Sequence, residues 1–143
     1  MSCHLSRASA RAAAAAALLA ALSACVGAPD CAPPSAPATL FSLYFGRSMP
    51  DGGEVDKAAW RAFLDGEVTP RFPDGFTVLK ARGAWRDGTR GTTSFEASNV
   101  LEIVVIETRA AARAKADEIA GAYKRRFRQQ SVLVTEGAVC AKF

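Results

Sequence analysis

The run at residues 99–107 (NVLEIVVIE) constrains the fold more than any other stretch of the chain. It is aliphatic and β-branched, as a strand requires. Alternation sets Leu101, Ile103 and Val105 on one side and Val100, Glu102, Val104 and Ile106 on the other. A strand apolar on both sides needs a covering layer on one face. Whichever side that layer takes, aliphatic side chains stay on the opposite face.

The flanking segments supply such a layer. Residues 39–46 (TLFSLYFG) are aromatic and β-prone and read as a first strand. Asp56 is placed to cap a helix with Ala59, Trp60, Phe63 and Leu64 on one face, ended by Pro70 and Pro73. Residues 76–86 (FTVLKARGAWR) read as a second strand, and Asp87-Gly88 opens a polar hairpin loop into the strand at 99–107. Thr108 can cap a second helix, in which Ala112, Ala116, Ile119, Ala120, Tyr123 and Phe127 recur at helical spacing. Residues 131–143 (SVLVTEGAVCAKF) supply a last strand. The order β-α-β-β-α-β predicts an α+β fold of the ferredoxin-like kind, an antiparallel sheet with two helices on one face. In that topology the last strand lies antiparallel beside the first.

The N-terminus reads as an export signal. Arg7 and Arg11 precede an alanine-rich apolar run of about eleven residues, a secretory core length, whereas a bilayer span needs roughly twenty. The run ends on Leu22-Ser23-Ala24-Cys25, which resembles a bacterial lipobox. Ordinary cleavage after Ala24 would want a small residue where Leu22 stands, and a cut after Ala28 would leave Pro29 next in line. An uncleaved anchor or a cytosolic tail explains neither the Leu nor the Cys. The expected organisation is residues 1–24 as a removed signal peptide, 25–38 as a lipidated Cys25 and proline-rich tether, and 39–143 as one domain. The lipobox resemblance implies a diacylglyceryl thioether on Cys25, so the lipid bilayer is the expected partner at that end. Val26 in place of Asp implies the outer membrane, facing the periplasm.

Cleavage there changes the inventory. His4 is the sole histidine and leaves with the signal, which excludes Ser-His-Asp and Cys-His catalysis and the usual His-containing metal sites. The formal charge of +4 falls by the two charges of Arg7 and Arg11, which weakens a nucleic-acid reading. An RNA-recognition domain would also carry aromatics on its central strands, and residues 99–107 have none. No nucleic-acid partner, metal or cofactor is expected. With Cys3 lost and Cys25 acylated, Cys31 and Cys140 remain. In an oxidising compartment they are expected to pair, the alternatives being a redox couple or a soft-metal site.

Candidate ligand or anion contacts are Tyr44, Arg47 in the glycine-rich loop, and Arg71 and Asp74 in the turn after the first helix. Arg47 has Asp51, Glu54 and Asp56 nearby and reads more simply as a structural ion pair. The basic cluster at residues 124–128 suits a helix C-terminus and reads as a solvated face or a contact with anionic lipid. Trp60 and Trp85 are expected in the core or a groove.

Taken together, LYFGRS (43–48), AAWRAF (58–63), VTPRFPDGFTV (68–78), YKRRF (123–127) and QSVLV (130–134) resemble a family of short exported bacterial proteins, domain-of-unknown-function family 3574. The likeness runs from about Leu40 to the C-terminus. It implies domain boundaries but no activity and no catalytic residue. Two functions follow as expectations. The first is a membrane-anchored, non-catalytic binding or assembly module of the cell envelope, with a homodimer through the open sheet face among its forms. The second is a cofactor-independent enzyme or ligand carrier with a pocket between sheet and loops, using Tyr44, Arg47 or a buried carboxylate. A deep pocket favours the second, a shallow apolar face the first.

Overall fold

The structure is a computed structural model that describes residues 29–142 apart from 87, 89 and 90. Cys25, the proposed signal segment, Asp87 of the hairpin turn and Phe143 lie outside the described residues.

Four strands form one antiparallel sheet in the order β2-β3-β1-β4, with β1 at Ala36–Gly46, β2 at Thr77–Arg86, β3 at Thr93–Val105 and β4 at Leu133–Ala141. The helices are α1 at Lys57–Phe63 and α2 at Arg109–Phe127. This is the ferredoxin-like βαββαβ arrangement, with both helices on one sheet face. Phe41, Leu43 and Phe45 of β1 and Leu101, Ile103 and Val105 of β3 point into the core beneath them.

That core is aromatic at one end. The rings of Phe45, Phe63 and Tyr123 stack edge to face with centroids 4.7–6.0 Å apart, and Trp60 and Phe127 close the cluster. The Tyr123 hydroxyl donates to the Gly46 carbonyl at 2.8 Å, tying the end of α2 to the end of β1. Burial pushes that phenol well above its ordinary range.

Several boundaries differ from those read in the sequence, each for a local reason. β1 begins at Ala36, three residues before Thr39, because β4 continues to pair with it through Ala36↔Ala141 and Pro37↔Cys140. β3 does not reach Pro37, so β1 is locally an edge strand, the setting that tolerates proline. β3 begins at Thr93, six residues before Asn99, because its polar half is held by pairing with β2 rather than by burial.

The Asp56 carboxylate caps α1 by accepting from the Ala59 amide at 2.7 Å. The helix then widens into a π turn at Leu64–Val68, closed by the Thr69 amide donating to the Leu64 carbonyl at 2.9 Å. The wider turn returns Val68 to the face that Phe63 occupies, and both are wholly buried. Thr108 occupies the N-cap of α2, but its side chain makes no capping bond.

Cys31 and Cys140 form a disulfide with their Cα atoms 5.6 Å apart. Cys140 shares its side of β4 with Val134 and Glu136, and Glu136 accepts from Arg109 and Arg113 of α2. The bridge thus pins the incoming segment on the helix side of the sheet, at the end where β1 begins.

Candidate functional site

The other sheet face has no second layer among the described residues. Cross-strand register arranges it in lateral rows. One row runs Leu79–Val100–Tyr44–Leu133 across all four strands. The next is polar, Thr77–Glu102–Ser42–Thr135, and the third is Val104–Leu40–Gly137. Antiparallel sheets with one solvated face normally alternate apolar-in and polar-out. Here Tyr44 is 41% exposed, Leu79 46% and Leu133 59%, and Trp85, Val104 and Ile106 are exposed beside them.

Charge on this face is sparse. No lysine or arginine of the described strands points to it, although the chain carries 18 basic residues. Its carboxylates are Glu96 and Glu102. Glu96 is consumed internally, accepting from the Ser48 amide at 3.0 Å and lying over Gly46, where a Cβ would come within 2.5 Å of its oxygen. Glu102 stands in the middle of the polar row, beside the hydroxyl of Ser42.

A second concavity opens at the end of the domain where β1 starts. It is a cleft of about 790 Å³ between the loop at 71–76 and the ends of β2 and β3, with Ile106, Glu107 and Lys115 on its far wall. Its cations are engaged. Arg71 donates to the Glu67 carbonyl at 2.7 Å and pairs with Glu67 and Glu118 at 3.0 and 2.9 Å. Lys115 pairs with Glu107 at 2.9 Å and lies 5.4 Å over the Phe72 ring. Asp74 lines the same cleft, and Glu102 reaches its edge.

The residues singled out in the sequence therefore do not form one site. Arg71 and Asp74 share the cleft, and Tyr44 sits in the apolar row of the sheet face. Arg47 is in a loop at the opposite end, donating to the Val55 carbonyl at 2.9 Å and pairing with Glu54 at 3.1 Å. Trp60 packs in the core, 5.3 Å from Phe45, whereas Trp85 is 44% exposed on the open face. The basic cluster ends α2 beside the Gly46 end of the sheet, where Arg128 pairs with Asp51. That is about 30 Å along β1 from the bridge, on the strand rise of roughly 3.3 Å per residue.

The polar row of Thr77, Ser42, Glu102 and Thr135 escaped the sequence reading. Alternation assigns a residue to a face, but only register shows which residues stand side by side. Among the described residues no three His, Cys, Asp or Glu side chains converge as a metal site, and no helix is long and apolar enough to cross a membrane.

Comparison with solved structures places the fold beside a phage SAM lyase in complex with S-methyl-5'-thioadenosine, at TM-score 0.60 and 13% identity over 74% of this chain and 90% of that one. The same phage enzyme in its apo state matches at TM-score 0.54 and 12% identity, covering 82% and 98%. Likeness at this identity concerns the fold alone. No curated protein matches the chain in sequence. Residues 41–143 match the family described as protein of unknown function DUF3574, and the chain belongs to that family.

Proposed function

We propose that this member of the DUF3574 family is a lipid-anchored, non-catalytic binding or assembly module of the cell envelope, and that its open sheet face is the docking surface. The observation that carries this reading is the uncovered face itself. Its apolar row exposes Leu79, Tyr44 and Leu133 around a buried Val100, and no lysine or arginine of the described strands points to it. Exposed apolar surface of this extent marks an interaction site. The anchor is Cys25, and Val26 directs the chain to the outer membrane, facing the periplasm.

The bridge supports a defined presentation of that surface. With Cys31 tied to Cys140, only residues 26–30 separate the domain from an acylated Cys25, about 15 Å at roughly 3 Å per extended residue. The end holding the cleft and the start of β1 then rides next to the lipid, and the sheet stands away from the bilayer with its open face accessible from the side.

The 790 Å³ cleft favours a second reading, a small-ligand carrier or enzyme working between loop and sheet. The two readings separate by experiment. Intact-mass analysis of the membrane fraction is expected to show an acylated chain beginning at Cys25 with no small molecule retained. A soluble, unacylated product contradicts the anchor, and a stoichiometric ligand released on denaturation favours the carrier.

A further inference from the structure

The sheet face carries a pattern that matches itself. We propose that its partner is a second copy of this chain, related by a two-fold axis that lies between β3 and β1 and runs along the strands. This pairing rests on the sheet face being the docking surface proposed above.

An axis parallel to the strands carries β2 of one copy over β4 of the other, and β3 over β1. Position along the strand is preserved, so each lateral row meets its own reverse. Leu79–Val100–Tyr44–Leu133 then lies on Leu133–Tyr44–Val100–Leu79, apolar on apolar throughout. Thr77–Glu102–Ser42–Thr135 lies on Thr135–Ser42–Glu102–Thr77, so each Glu102 faces the uncharged, largely buried Ser42 of the other copy rather than a second carboxylate. An axis across the strands through this row would instead set Glu102 on Glu102, a like-charge contact that disfavours pairing. Two aligned sheets of this kind pack at about 30° to one another with interleaved side chains.

Gly137 fits the same scheme. Glycine weakens a strand interior and often marks close approach of another group. Nothing among the described residues requires it here. Its φ is not in the left-handed region, and an added Cβ would meet no atom within 4 Å. In the two-fold arrangement Val104 lies on Leu40 of the second copy, and the gap at Gly137 on β4 faces the chain that leads into Thr77 at the start of β2 there.

The size is sufficient. Four strands at about 4.8 Å spacing and eight paired residues at about 3.4 Å make a face of roughly 500 Å². Two such faces bury about 1,000 Å², the lower bound for a specific association. The dimer is therefore expected to be concentration-dependent, and a membrane anchor raises the local concentration that sustains it.

The test uses the full chain in its membrane. Thr135 is exposed and belongs to β4, so Thr135→Cys carries a thiol-reactive benzophenone without disturbing the core. Illumination is expected to give an adduct of twice the chain's mass, attached within residues 77–79 of the other copy. Adding Gly137→Ile fills the gap with a better strand former. It is expected to cut the adduct tenfold or more while the unfolding midpoint holds or rises. An adduct with a different protein overturns the second copy but leaves the docking surface standing, whereas no adduct overturns both. A double-mass adduct that attaches outside β2, or that survives Gly137→Ile, overturns the two-fold pairing.

Discussion

Tyr123 shows how one side chain can tie the fold together. Its ring fills the aromatic end of the core and its hydroxyl donates to Gly46 across the α2–β1 boundary. Tyr123→Phe keeps the ring and leaves the Gly46 carbonyl without this donor. A loss of about 1–3 kcal/mol is expected from the denaturant midpoint. Glu136 acts at the other end of α2, where its hydrogen bonds to Arg113, and then to Arg109, hold its carboxyl below the ordinary carboxylate range. A depressed folded-state pKa contributes stability above the unfolded value and loses it as the pH falls through the folded one. The contribution is therefore present at neutral pH and fades below about pH 4.5, the ordinary glutamate value. Unfolding temperatures of Glu136→Gln and the parent should differ at pH 7 and differ less at pH 3. Equal separation at both would show that the arginine pairing adds nothing. Arg47, by contrast, donates to the Val55 carbonyl and pairs with Glu54 at the opposite end of the sheet from the cleft.

At the scale of elements, the bridge and the strand ends decide how the domain is presented. Cys31 and Cys140 stand 109 residues apart in sequence, a loop whose closure in the unfolded chain is worth about 4–5 kcal/mol on the chain-entropy treatment. Cys140→Ser is expected to lower stability by up to that amount and to free the segment from 31 to 35, lengthening the leash. Alkylation of the unfolded, unreduced chain should find no thiol from this pair, and two reactive thiols would contradict the bridge.

The element order, the Asp56 cap and the buried face of α2 were legible because periodicity and capping act over a few residues. The polar half of β3, the first residues of β1 and the π turn were not. Thr93–Ser98 is held as a strand by its neighbour β2, Ala36–Ala38 by β4, and the π turn by the demand that Val68 return to the core. None of those causes is local. The same limit hid the candidate site. Tyr44 stands out in the sequence as a candidate ligand contact, but its place in a row with Leu79, Val100 and Leu133 depends on the pairing of four segments far apart in the chain.

At the scale of the whole molecule, two helices cover one side of a four-stranded sheet and the described residues leave the other side open. On the proposed lipid anchor, this open face is where the domain would meet a partner at the membrane. Leu79 and Leu133 stand exposed at opposite ends of the apolar row. Replacing both with lysine puts charge on the face without removing buried volume, so folding should survive within about 0.5 kcal/mol per site. The most direct measurement is the size of the native membrane complex for the parent and for Leu79→Lys/Leu133→Lys. The account predicts that the parent migrates as an assembly and the double variant as a single chain with an unchanged unfolding midpoint. Migration of both as single chains, or of both as the same assembly, would contradict it.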